Sequence, residues 1–298
     1  MADLPILEVF TAGMKVVGHS FKKAEYEGAT KSDHRKFREA YNLSPEACQK
    51  VYQDLSGLTG DDRIENPCIT QLFRTLRWLK TYPTENNEAG HNGCSAKTSR
   101  KYRWIYVSAI FALSKKKIKW PFELNGGNVP LEVFLATVDG THCLIYKPRK
   151  FPGKEWCSYK FKKAGLAYEV AVGVWNGNIV WINGPFPAST GDNLIYQSAG
   201  GLKSKMPPGK KLIADGVYLS NPEISGRNPT DSKALAKFKE RAKGRQETVF
   251  ARLKNFHILS TRFRCKTDDR FQKHKMVFES CCALVQYDIE NGHPLFQI

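Results

Sequence analysis

Residues 1–30 carry apolar and polar positions with no sustained period, and the stretch is expected to be a peripheral segment. The first helical signal is Ser32-Asp33, a capping pair for a segment ending near Tyr41. Ser44-Pro45-Glu46 opens another helix, with serine at the cap, proline where a missing N–H is no loss, and an acid in the first turn. Its Ala47, Val51 and Leu55 repeat every four residues, and Gly57, Gly60 and Asp61-Asp62 end it. Residues 67–114 predict three more helices. Ile69, Leu72, Phe73, Leu76 and Leu79 keep the 3,4 spacing of an amphipathic helix that stops near Tyr82-Pro83. Thr84 caps a short acidic helix to about His91, Asn92-Gly93-Cys94 makes a turn, and Ser95 caps a long helix through Leu113. A short helix, a glycine turn and a capped longer helix make up a helix-turn-helix arrangement.

Residues 121–130, rich in Pro, Gly and Asn, mark the domain boundary, and beyond them the period becomes extended. The division expected is a peripheral segment 1–30, an all-α region 31–125 and a mixed α/β (α+β) region 126–298. Leu131–Val138 reads as a buried strand ending at Asp139-Gly140, with further strands at 159–161, 166–174 and 179–182, the last two joined at Asn176-Gly177. Asp192 caps a short helix to Tyr196, 211–214 is a strand ending at Asp215-Gly216, and 219–230 is a polar insertion. A basic helix runs from Ser232 to about Phe256, 257–264 reads as extended, and Thr267-Asp268-Asp269 caps a last helix to about Asp288.

Charge narrows the function. The chain has 46 Lys+Arg against 29 Asp+Glu, a net charge of +17, which makes nucleic acid the leading partner. No apolar stretch is long enough to span a membrane, and no secretory signal is expected. Eight cysteines without a CxxC pair read as reduced thiols of a cytosolic or nuclear protein. Between Ser95 and Trp120 stand eight basic residues and no acid. Ser95, Lys97, Arg100, Lys101, Arg103, Lys115, Lys116 and Lys117 are therefore candidate DNA contacts, against the plainer reading of a solvated basic face.

Two acids share one setting, an apolar strand followed by Asp-Gly: Asp139 and Asp215. Asp-Gly is also a common turn, but two such ends on adjacent strands would set carboxylates side by side, a repulsion that a divalent cation relieves. A third acid, Glu247, lies on the basic helix 233–254, which carries eight Lys/Arg and two acids. Lys243 and Lys254 share its face, so Glu247 is either an ion-pair partner of Lys243 or a metal ligand flanked by phosphate-binding lysines. Hard oxygen ligands suit Mg²⁺, and two ions serve phosphodiester cleavage.

Val138-Asp-Gly-Thr-His142, Tyr168-Glu-Val-Ala-Val172, Asn183-Gly-Pro-Phe-Pro187 with Asp192, Ile213-Ala-Asp-Gly-Val-Tyr218 and Glu247-x-x-Phe250-x-x-Leu253-Lys254 follow in order. As a set they resemble the DDE transposases of the PIF/Harbinger group, over roughly residues 65–290. The resemblance implies a helix-turn-helix region followed by an RNase H-like nuclease domain, a mixed sheet flanked by helices. It implies that Asp139 ends the first strand, Asp215 ends the fourth and Glu247 lies on the long helix, together holding two Mg²⁺ or Mn²⁺ ions. Asp192 matches a recurrent family aspartate, but a helix cap explains it without catalysis. Lys243 stands where related bacterial enzymes carry arginine. His142 is expected on the Asp139 face, as a contact to the scissile phosphate or a metal-bound water, or else as a packed or capping histidine.

The function these residues imply is a nuclear DNA transposase that binds terminal inverted repeats, cuts with Mg²⁺ and joins the freed 3′-OH to target DNA. A homodimer on DNA, with a contact built from Leu4, Ile6, Leu7, Val9, Phe10, Met14, Val16 and Val17, and a Myb-like helper protein are the expected partners. The alternatives are a domesticated transposase-derived DNA-binding protein and an RNase H-like nuclease acting on RNA or hybrids.

Overall fold

The computed structural model describes residues 4–121, 133–148, 154–265 and 267–298. The boundary segment 122–130 and the first residues of the expected strand, Leu131 and Glu132, lie outside them. The chain forms two compact units, and the division is not linear. A helical unit takes residues 1–117, 252–260 and 276–294; a sheet unit takes 118–251, 261–275 and 295–298. A boundary drawn at 125/126 therefore misassigns the C-terminal segments that belong to the helical unit. Hydrophobic spacing shows that a helix buries a face, and it does not show in which core.

The helical unit contains α1 (Ile6–Val16), α2 (Lys31–Tyr41), α3 (Pro45–Ser56), α4 (Ile69–Thr81), α5 (Glu85–Asn92) and α6 (Ala96–Lys117). The segment expected to be peripheral holds a helix over 6–16 that is not. Its α1 lacks a side-chain cap, which hid it in the sequence, yet Val9, Phe10 and Met14 are buried in this unit's own core. Phe10 stacks on Phe37 at 5.3 Å, and a Cβ on Gly13 would stand 2.4 Å from the Phe37 ring. Leu4, Ile6, Leu7, Val16 and Val17 are half-buried, so part of the apolar surface expected for a dimer contact is covered within this unit. Thr30, not Ser32, caps α2, in a reciprocal capping box with Asp33. Ser44 and Thr84 cap α3 and α5 as their sequences predict.

The sheet unit is built on β1 (Phe134–Leu144), β2 (Cys157–Ser158), β3 (Lys163–Gly173), β4 (Ile179–Pro187), β5 (Lys211–Ile213) and β6 (Ile224–Ser225). The sheet is mixed, in the order β2-β3-β1-β5-β6, with β4 also paired to β3. β1, β3 and β4 pair antiparallel; β5 runs parallel to β1, and β6 parallel to β5. Short α7 (Asp192–Tyr196) follows β4, and long α8 (Lys233–Lys254) follows β6. Leu135, Ala136, Val138, Leu212 and Ala214 pack with Tyr196 and Tyr218, while Ile213, Val174 and Phe134 pack with Ala242 and Phe238 of α8. The stretch expected as extended at 257–264 instead starts with a turn of helix, α9 (His257–Ser260), and only Phe263 makes a bridge, to Ile145. The last helix is α10 (Arg270–Glu290). None of the eight cysteines is in a disulfide.

Candidate active site

Asp139 does not end its strand. β1 continues to Leu144 because β3 pairs with it beyond the aspartate, Asp139 opposite Val170. The parallel partner β5 stops earlier, its last pair being Thr137↔Ile213. Asp139 therefore stands two residues past the end of the parallel pairing on one strand, and Asp215 two residues past it on the other. α8 completes the site. Thr137 donates to Gln246 Oε1 at 2.7 Å, Gln246 Nε2 donates to the Val170 carbonyl at 3.1 Å, and the Arg245 guanidinium donates to the Val174 carbonyl. These bonds fix the helix rotation, so that Glu247, next to Gln246, borders the same space. Asp139, Asp215, Glu247 and Lys243, with Thr137, Val138, Ile213 and Gln246, line one pocket of about 40 Å³.

The charges in this pocket are unevenly met. The Gly140 N–H donates to Asp139 Oδ1 at 2.7 Å. Burial nonetheless pushes the Asp139 carboxyl up to about 6; the anions of Asp215 and Asp192 add to the rise, and Lys160 opposes it. Lys243 pairs with Asp215, not with Glu247 as an ion pair within the helix would have had it. The donors are hard carboxylate oxygens, and the buried one is disfavoured as an anion, which is the chemistry a divalent cation relieves. The carboxylates border one space without yet converging on one point: among the described residues no three His, Cys, Asp or Glu side chains form a ready metal-ligand set.

Asp192 is not a helix cap. Gly191 holds the cap position of α7, without any side-chain bond, and Asp192 is the first helical residue. Its carboxylate presses on the β1 backbone beside Asp139, where a Cβ on Gly140 would lie 2.2 Å from Asp192 Oδ1. The glycine of the Asp-Gly pair is thus required by contact. Burial raises the Asp192 carboxyl, the nearby His142 imidazole opposes that, and Asp215 adds to it. His142 is three residues from Asp139, so the strand's two-residue alternation turns it to the opposite face, against expectation. Its Nδ1 bonds Ser158 Oγ at 2.7 Å.

Two further groups escaped sequence reasoning. Glu169, opposite Gly140 on β3, is buried; Trp181 Nε1 donates to its Oε1 at 3.0 Å, and its Oε2 has no partner. Burial pushes this carboxyl up to about 8. Tyr218 is fully buried with an unpartnered hydroxyl, and its ionisation is pushed far up by burial and by the surrounding carboxylates. The available signal for Glu169 was one acid inside the apolar run 166–174.

The expected DNA contacts of α6 divide. Arg103 is 5% exposed, bonds Glu88 and Glu85, and stacks over Trp78 at 4.3 Å. Arg100 is tied to Glu85 and Lys117 to Glu290. Arg103 is therefore unavailable to a phosphate. Counting acids within one helix missed those supplied by neighbouring helices. Ser95 is a cap, accepting from the Thr98 N–H at 3.1 Å. Lys97, Lys101, Lys115 and Lys116 remain exposed. Lys254 donates to the Leu259 carbonyl and does not border the pocket. No helix is long and apolar enough to cross a membrane among the described residues.

A family model described as DDE superfamily endonuclease matches residues 138–286, half of the chain. No curated protein and no solved structure matches it.

Proposed function

Since the chain belongs to the DDE superfamily endonuclease family, we propose that it is a PIF/Harbinger-type DNA transposase that cuts and joins DNA at transposon ends. The observation carrying this reading is that Asp139, Asp215 and Glu247, from two strands and a helix, border one pocket. The strand order supports an RNase H-like domain: three antiparallel strands β4-β3-β1, then two parallel ones.

In this mechanism Asp139, Asp215 and Glu247 would hold two Mg²⁺ or Mn²⁺ ions, which when bound stabilise the attacking and leaving oxygens of the phosphodiester. With its carboxyl at about 6, Asp139 is ionised at neutral pH, the form a cation needs. The Gly140 N–H orients that carboxylate. Lys243 neutralises Asp215 and supplies positive charge beside the reacting phosphate. Asp192 buttresses the strand that carries Asp139. In the helical unit α5, its glycine turn and α6 act as the helix-turn-helix, with Lys97, Lys101, Lys115 and Lys116 on phosphates and Arg100 and Arg103 bracing the fold. The protein works in the nucleus, as a dimer on two DNA ends and with a Myb-like helper, as its resemblance implies.

The test is strand cleavage of end-bearing duplex by Asp139→Ala, Asp215→Ala and Glu247→Ala, with single-stranded DNA and RNA as further substrates. Each variant is expected to fall to background while still binding duplex. Cleavage that survives in Asp215→Ala but is lost in Asp192→Ala would identify Asp192 as the second ligand. Cleavage of RNA alone would replace the transposase reading with an RNA nuclease.

A further inference from the structure

The turn between β2 and β3 carries a surface to which the cleavage mechanism gives no role. Its sequence, Ser158-Tyr-Lys-Phe-Lys-Lys163, alternates aromatic and basic residues. Ser158 is buried, whereas Tyr159 is 74% exposed, Phe161 is 41% exposed, and Lys160, Lys162 and Lys163 all face solvent. Its backbone is well fixed. The Lys162 N–H donates to the Ser158 carbonyl at 2.8 Å, the Phe161 N–H to Ser158 Oγ at 3.3 Å, and Lys162 holds a left-handed φ of 53°. Ser158 Oγ in turn bonds His142 Nδ1, and the Phe161 ring lies 6.4 Å from the His142 ring. His142 thus ties the turn to β1.

This anchor fixes the turn on β1 three residues along from Asp139, on the strand face that carries His142. His142 is three residues from Asp139, about 10 Å along a strand, which is roughly three stacked nucleotides. Lys160 is a cation that both Asp139 and Asp192 sense. Rings exposed on a well-anchored turn, spaced by lysines, have the composition of a surface that stacks bases and follows a phosphate backbone. An apolar protein partner would not explain why every second residue is a lysine. Stacking on an exposed ring requires a base that is not paired in a duplex.

We infer that Tyr159 and Phe161 form a stacking platform for unpaired bases of the DNA strand at the triad pocket, with Lys160, Lys162 and Lys163 on its phosphates. The identity of the ligand as DNA rests on the nuclease reading; the platform itself rests on the turn.

The test uses the full chain with Ca²⁺ and two duplexes that differ only in a short unpaired segment carrying 2-aminopurine. Wild type is expected to bind the unpaired form about fivefold or more tightly and to quench the probe, the range known for base–aromatic stacking. Tyr159→Ala/Phe161→Ala is expected to lose both the preference and the quenching, with paired duplex bound as before; Tyr159→Phe keeps both. Both rings are exposed, so these variants fold, and circular dichroism verifies it. A double variant that keeps the preference, or a wild type that binds and cuts duplex with no preference, overturns the platform and leaves the nuclease reading intact. A wild type that neither binds nor cuts DNA overturns both.

Discussion

The two units meet most of their buried acids differently. In the helical unit Glu88 meets Arg103 at 2.5 Å, and Asp288 accepts from Arg38 through both oxygens and from the Ser44 N–H, with Arg252 at 3.6 Å. In the sheet unit Glu169 keeps one oxygen without a partner, the Tyr218 hydroxyl has none, and Asp139 and Asp192 crowd one strand with Lys160 as their shared cation. The acids in the helical unit hold helices together. In the sheet unit Asp231 is likewise met by Lys239 at 2.8 Å, whereas Asp139, Asp192 and Glu169 are a cost to the fold, the kind of cost that persists where a charge serves something other than stability. Ion-pair completeness therefore sets Asp139, Asp192 and Glu169 apart from the paired acids of both units, although Asp215 in the same pocket is paired with Lys243.

The sharpest way to break this comparison is to remove one charge from each unit. Arg103→Ala strands Glu88 in the interior and is expected to destabilise the helical unit by about 3–5 kcal/mol in urea titrations. Arg38→Ala leaves Asp288 its other partners and should cost less, about 1–3 kcal/mol. Asp139→Asn has the opposite sign: it removes a buried anion beside other anions, so stability should hold or rise by about 1 kcal/mol while cleavage disappears. A destabilised Asp139→Asn protein would place this aspartate with the structural acids.

Glu169 sharpens the comparison through pH. Its carboxyl rises from the ordinary 4.5 to about 8 in the folded chain. Between those values the unfolded chain has already lost the proton that the folded one keeps, so stability falls as pH rises through that window and levels off above it. Glu169→Gln should abolish this slope and raise the melting temperature at pH 8 by a few degrees, about 2–4 °C per kcal/mol for a chain of this size. An unchanged slope would mean that Glu169 ionises normally.

The smallest effect belongs to α6. Lys97→Ala/Lys101→Ala should flatten the plot of log K against log salt by about 0.9 for each phosphate that is no longer neutralised, and leave stability alone. Arg100→Ala should act mainly by freeing Glu85. Equal salt slopes for the two variants would erase the division of α6 into bracing and binding residues.

What the sequence revealed follows from what is local. Asp139, Asp215 and Glu247 were legible because each sits in a short, recognisable setting, and all three border one pocket. The capped helices α3, α5 and α6 were legible for the same reason. Glu169 was given no role because its place opposite Gly140 depends on sheet register, and Asp192, matched as a family aspartate, was misread as a cap because its contact with Gly140 depends on how α7 meets β1. Arg103 was misread because its acids come from another helix, and α1 was missed because no side chain caps it.

The claim that the sheet unit's carboxylates are kept for a cation is met most directly by titrating Mn²⁺ into the full chain and into Asp139→Asn, following the heat of binding. The account predicts saturable binding to the wild-type chain and its loss in the variant, although the variant is at least as stable. Binding of equal strength to both proteins, or none to the wild type, would contradict it.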